Sequence, residues 1–248
     1  MLGIGGGLIF VPVLYLLLPF TPIDKAQISY IVIGTSLFSA AITSISSAAN
    51  HFLRNNVDKR KAVFLALGSI TSSIIATYFV IKIHPFVLQL IFAFVFILIA
   101  AKMLMEGRGK KQEKSNSQLV SDYFGIFFGF AVGIFASFTG LGGGILFVPV
   151  LSYLLGVEFK KSIGTSSLVI SATGIAAAVA YAFHKPQGII APFQIGYVYF
   201  IAGLPLAIGA AAGAYFGVKI VLGSQSKSIK KVFSALLIIA VIKILFSF

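Results

Sequence analysis

The chain has 248 residues, 58% of them hydrophobic and only 10% charged, which excludes a soluble globular domain, where about half of the residues are apolar and about a quarter charged. Nineteen Lys and Arg against six Asp and Glu give a formal charge of +13. In a chain this apolar, that excess points to membrane orientation and anionic lipid headgroups, not nucleic acid. The absence of cysteine excludes disulfides, thiolate metal sites and thiol relays.

Run length and hydropathy predict eight helical segments, at 2–20, 27–50, 62–83, 86–105, 123–155, 162–183, 192–221 and 229–248. The N-terminus lacks a basic stretch and a small-residue cleavage site, so it does not read as a removable signal peptide. The first segment opens on Gly3-Ile4-Gly5-Gly6-Gly7-Leu8-Ile9-Phe10-Val11-Pro12-Val13-Leu14. This run returns inside the fifth as Gly140-Leu141-Gly142-Gly143-Gly144-Ile145-Leu146-Phe147-Val148-Pro149-Val150-Leu151, with only Ile and Leu exchanged. The second and sixth segments share Gly34-Thr35-Ser36 and Gly164-Thr165-Ser166, and the fourth and eighth carry Lys102 and Lys243 at matching places. The chain is therefore two copies of one unit: a first repeat at 1–105, a polar linker at 106–121 and a second repeat at 122–248.

The fifth segment is too long for one ordinary crossing and is interrupted by Gly140, Gly142, Gly143, Gly144 and Pro149, so it is either one broken span or a hairpin that returns. Its leading part, 123–138, has no counterpart ahead of Gly3. The first repeat is expected to lack this helical leg through truncation, the alternative being that the halves differ.

Charge bears on the choice, because Lys and Arg collect in cytoplasmic loops. If every segment crosses once, the basic residues divide eleven to eight. If the glycine segments return to their own side, the division becomes fifteen to four, with the basic loops 51–61, 106–114, 158–161 and 219–231 all cytoplasmic. The expected fold is all-α and polytopic, with two inverted repeats and glycine-rich re-entrant or broken helices, in the cell membrane.

Three consecutive glycines unwind a helix, and unwound backbone at membrane depth is tolerated only where it is buried in protein or lines a cavity. A helix restarting after the break presents free N–H groups and a positive dipole end that attract an anion. Gly5, Gly6, Gly7, Gly142, Gly143 and Gly144 are thus candidate substrate-binding positions, with close helix packing as the competing role. Thr35, Ser36, Thr165 and Ser166 recur in both copies and could donate to an oxyanion without carrying charge. The polar stripe Thr35, Ser39, Thr43, Ser46 and Asn50 admits a second role, bonding back to its own helix.

Asp24, Asp58, Glu106, Glu113, Asp122 and Glu158 all fall in loops or at segment ends, which argues against a cation pump with a buried acid. His51 and His184 end equivalent helices and are candidates for proton-linked groups, with an interfacial role as the alternative. No metal site, cofactor or catalytic set is expected.

Two copies of Gly-Leu/Ile-Gly-Gly-Gly-x-x-x-Val-Pro, each followed by Gly-Thr-Ser, resemble the sulfite exporter TauE/SafE family over the whole chain. The region from Asn50-His51 to Asn56-Val57-Asp58 shares in that resemblance. It implies a multi-pass inner-membrane transporter of sulfur-containing anions such as sulfite or sulfonates. The expected function is a secondary transporter of a small anion, an intramembrane enzyme being the least favoured class for want of a Cys, a mid-membrane acid or a paired metal motif, and an oligomer is compatible with it. A passive anion channel and a non-transporting scaffold are the alternatives.

Overall fold

The computed structural model describes residues 6–91, 93, 94, 97, 123–186 and 191–223. The linker 106–121, most of segment 86–105 and all of segment 229–248 lie outside the described residues. Helix α1 spans Gly7–Leu17, and a short turn at Lys25–Gln27, capped by Asp24, leads into α2, Ile28–Leu53. Asp58 then caps α3, Lys59–Val80, its carboxylate accepting the Lys61 N–H at 3.1 Å.

The second half begins with α4, Phe124–Thr139, and restarts after the glycines as α5, Gly144–Pro149. Proline withholds an N–H, and the helix continues from Pro149 as a wider π turn, Val150–Leu154. Helix α6 spans Phe159–Phe183 and α7 Phe200–Gly223.

The segment expected as one helix over 192–221 is not helical at its start. Left-handed backbone at Phe193 and Gly196 turns the chain into two short strands, β1 (Gln194–Ile195) and β2 (Val198–Tyr199), paired antiparallel. Gln194 fixes this hairpin by accepting the Ala191 N–H at 3.1 Å and donating to Gly196 O at 2.8 Å.

The contacts set the directions of the helices. Gly125 of α4 packs on Phe64, Gly129 on Leu65 and Gly133 on Ser69 and Ser72, so α3 and α4 run parallel with their backbones nearly touching. After the glycines the chain comes back: Phe147, Leu151 and Leu155 share one buried cluster with Val132 of α4 and with Ala62 and Leu65 at the start of α3. The Lys61 ammonium donates to Leu155 O, placing residue 155 at the end of the molecule where α4 begins. The start of α4 and residue 155 thus both lie near the start of α3.

Helices α2 and α6 run antiparallel. Gly34 meets Tyr181, Gly174 meets Leu37 and Ala41, and Gly164 meets His51. Asn56 Nδ2 donates to Lys160 O at 3.0 Å, so the basic segments around 54–61 and 160–161 lie side by side at one end. Two apolar clusters result, one around α1 (Leu8, Val11, Leu14) and one around α5 and its π turn (Phe147, Leu151, Leu155).

Large apolar side chains line the outside, among them Val63, Leu67, Ile74 and Tyr78 on one face of α3 and Phe124 and Phe127 on α4. An exposed apolar belt of this extent is a lipid-facing surface. Among the described residues three helices are long and apolar enough to cross a membrane, at Lys25–Leu53, Lys59–Val80 and Lys160–Phe183.

Candidate functional site

Gly6 and Gly143 occupy equivalent places in the two copies of the motif, and both adopt left-handed backbone, φ +74° and +75°, as the caps of α1 and α5. Gly140 and Gly142 are left-handed as well, at +67° and +70°. A side chain at these angles is strained, which explains why the breaks are built from glycine. Gly5 lies outside the described residues.

The two motifs meet. A Cβ at Gly7 would stand 2.7 Å from the Cα, carbonyl carbon and oxygen of Leu141, so the start of α1 rests backbone to backbone on the second glycine loop. That loop runs along α2: Gly140 lies against Ile33, the Ser36 hydroxyl donates to Gly140 O at 2.7 Å, and Gly142 sits between Ala40 of α2 and Ile170 of α6. Gly142, Gly143 and Gly144 are buried. None of the backbone N–H groups of residues 142–145 meets an acceptor in hydrogen-bonding geometry among the described residues, whereas Leu146 and Phe147 already bond to Gly143 O. Buried N–H groups left over at a helix start call for a partner.

The electrostatic setting is donor-rich and uncharged. Among the described residues the fully buried polar side chains are Ser, Thr, Gln and Tyr, none with a formal charge at neutral pH.

The repeated threonines each accept a distant backbone N–H. Thr165 Oγ1 accepts the Asp58 N–H at 2.8 Å, and Thr35 Oγ1 accepts the Tyr199 N–H at 3.0 Å. The neighbouring glycines match: Gly164 lies against Asn56 O and Gly34 against Tyr197 O. Each Gly-Thr pair therefore holds a distant segment, Gly34-Thr35 the one that leads into α7 and Gly164-Thr165 the one that leads into α3. The threonines sit at opposite ends of the α2–α6 pair, roughly 24 Å apart at 1.5 Å per residue, too far to share one small ligand. Ser36 joins the glycine loop, while Ser166 donates back to Ile163 O at 2.9 Å.

Much of the polar stripe on α2 is satisfied locally. Thr43 donates to Ser39 O, Ser39 to Thr35 O and to Gly203 O of α7, and Asn50 to Ser46 O. Between α3 and α6, Ser69 and Thr173 share a hydrogen bond of 2.6 Å, and Tyr181 donates to Ser137 O at 2.9 Å. Another face of α2, carrying Ala40, Ser44 and Ser47, was not singled out by sequence; its spacing of four and three is the signal that could have found it. His51 bonds Asn56 at 3.1 Å and His184 lies 2.7 Å from Ala180 O, at opposite ends of the antiparallel pair.

Comparison with known proteins gives the same class. The family model described as "Sulfite exporter TauE/SafE" matches residues 1–244. The chain is 27% identical over 247 residues to "Probable membrane transporter protein" of Haemophilus influenzae, covering 97% of this chain and 90% of that one. It is 24% identical to "Probable membrane transporter protein YunE" of Bacillus subtilis, covering 96% and 89%, and 27% identical to a like-named protein of Methanocaldococcus jannaschii, covering 95% and 85%. No solved structure matches it at a significant level. The glycine motifs, the Gly-Thr-Ser pairs and the family match over nearly the whole chain lead to one conclusion: this protein belongs to the sulfite exporter TauE/SafE family of membrane transporters.

Proposed function

We propose that the protein is a secondary transporter of a small sulfur oxyanion or sulfonate, working by alternating access of two inverted repeats around a site where the glycine motifs meet. The observation that carries this is the contact of Gly7 with Leu141, which puts the positive starts of two helices beside one buried stretch of unpaired N–H groups at residues 142–145. Such donors stabilise an oxyanion without a counter-charge that would have to be desolvated in its absence.

Inversion is supported by the antiparallel α2 and α6 and by the crossed Thr35–Tyr199 and Thr165–Asp58 bonds, which exchange under a two-fold operation. The nearness of residue 155 to the start of α3 sets Lys160 at the same end as Arg54 and Lys61, as a positive-inside arrangement of 51–61 and 158–161 requires. In this scheme the basic loops face the cytoplasm and its anionic headgroups, and His51 and His184 lie one at each membrane surface.

The test is uptake and counterflow of radiolabelled sulfite, thiosulfate, taurine and isethionate into proteoliposomes. Saturable, counterflow-competent flux that is lost in Gly6→Leu and Gly143→Leu is the expected result. Ohmic, non-saturable flux would make the protein a channel, and absence of flux for every sulfur anion would leave it a scaffold.

A further inference from the structure

Ser44 is one of two hydroxyls of α2, with Ser29 at the helix start, that are buried without a hydrogen-bond partner among the described residues. It is 1% exposed, yet its Oγ has no hydrogen-bond partner, while Thr35, Ser36, Ser39, Thr43 and Ser47 all have one. A buried hydroxyl without a partner costs roughly 1–3 kcal/mol, so its retention needs a reason.

Its position supplies one. Ile33, Ser36 and Ala40 of α2 touch the second glycine loop in order, at Gly140 and then Gly142. The loop thus advances along α2 toward its C-terminus as it approaches the cap of α5. Ser44 is the next residue on that face, one turn past Ala40, and one turn before Ser47, which bonds Ser167 of α6 at 3.0 Å. An unpartnered hydroxyl thus lies one turn along α2 from Ala40, the residue that meets Gly142 at the edge of the unpaired N–H groups of residues 142–145. The helix they begin is continuous over Gly144–Leu154, long enough to carry a dipole, and α1 over Gly7–Leu17 faces it through Leu141.

The charge capacity of this place follows from its parts. Each helix start presents about half an elementary charge, so two present about one. No buried side chain among the described residues adds to it. A second negative charge on the ligand would be desolvated without compensation, which low-dielectric surroundings penalise heavily.

Building on the anion-transport reading above, we propose that Ser44 is a substrate-binding donor and that the site takes a monoanionic oxyanion, such as a sulfonate, in preference to a dianion such as sulfate. The hydroxyl donates to one oxygen of the XO3 group while the N–H groups of the glycine loop receive the others.

The experiment uses the full chain in lipid nanodiscs, with methanesulfonate and sulfate as calorimetric probes and Ser44→Ala, Ser44→Thr and Gly143→Ala as variants. Methanesulfonate is expected to bind at least tenfold more tightly than sulfate, and Ser44→Ala to weaken it about tenfold, the worth of one hydrogen bond to a charged group. Ser44→Thr keeps most of the affinity. Melting temperature separates this from a structural role: removing an unpaired buried hydroxyl leaves it unchanged or raised. Wild-type affinity in Ser44→Ala while Gly143→Ala still weakens binding overturns the role of Ser44 and spares the glycine site. Equal affinity for the two probes overturns the monoanion preference. Failure of wild type to bind either probe, or binding indifferent to Gly143→Ala, overturns the glycine site itself and this proposal with it.

Discussion

Thr165 Oγ1 receives the backbone N–H of Asp58 at 2.8 Å, across 107 residues of sequence. This single acceptor joins the start of α6 to the cap of α3, and its mate joins Thr35 to Tyr199 at 3.0 Å. Thr165→Val keeps the side-chain shape and removes the acceptor, leaving the Asp58 N–H without its partner. A loss of about 1–3 kcal/mol is expected, read as a lower melting temperature in detergent, with Thr165→Ser close to wild type. Equal melting of the valine and serine variants would show that the bond carries no weight.

The glycines of the α3–α4 interface and those of α7 look alike in sequence and differ in surroundings. A Cβ at Gly129 would run into Leu65 O, which is backbone and cannot yield, whereas nothing among the described residues lies within 4 Å of one at Gly209 or Gly213. Gly129→Ala is expected to abolish a monodisperse peak in size-exclusion chromatography. Gly209→Ala is expected to melt at or above the wild-type temperature, since alanine favours helix by up to about 1 kcal/mol.

Antiparallel α2 and α6 put the segments following them at opposite ends. The chain has no cysteine, so single replacements report cleanly. Arg54→Cys and Lys185→Cys in sealed vesicles should label with an impermeant maleimide from opposite sides. Labelling of both from one side is incompatible with the arrangement of the two helices.

Ser36 steadies the second glycine loop through Gly140 O at 2.7 Å. Ser36→Ala should weaken substrate binding several-fold, visible as a raised KM for uptake, at a cost of about 1 kcal/mol in stability. An unchanged KM would mean that the loop holds its shape without this bond.

The architecture was legible where the physics is local. Apolar run length locates α2, α3 and α6 to within a few residues, and the repeated glycines locate the caps of α1 and α5, because glycine readily takes the left-handed backbone found at Gly6 and Gly143. The excess of lysine and arginine favours a returning fifth segment, and the structure sets Leu155 O against Lys61 at the start of α3. What stayed hidden is long-range. Nothing local to Thr35 or Thr165 announces a backbone donor 164 or 107 residues away. The β1–β2 turn is hard to read in the sequence because one of its left-handed residues, Phe193, is not a glycine, and the other, Gly196, is a lone glycine in apolar surroundings. The missing partner of Ser44 is a property of the packed fold that no sequence pattern carries.

The crossed threonine bonds also bear on how the chain is made. Thr35 leaves the ribosome 164 residues ahead of Tyr199, and Asp58 leaves it 107 residues ahead of Thr165. At roughly 5–20 residues per second, α2 waits on the order of ten to thirty seconds in the bilayer before its partner segment exists. During that interval its row of buried hydroxyls has only its own backbone to bond to, as Ser39 and Thr43 do in the finished fold. Self-bonding serines and threonines thus make a half-built transporter tolerable to lipid until the second half of the chain arrives to complete the exchange.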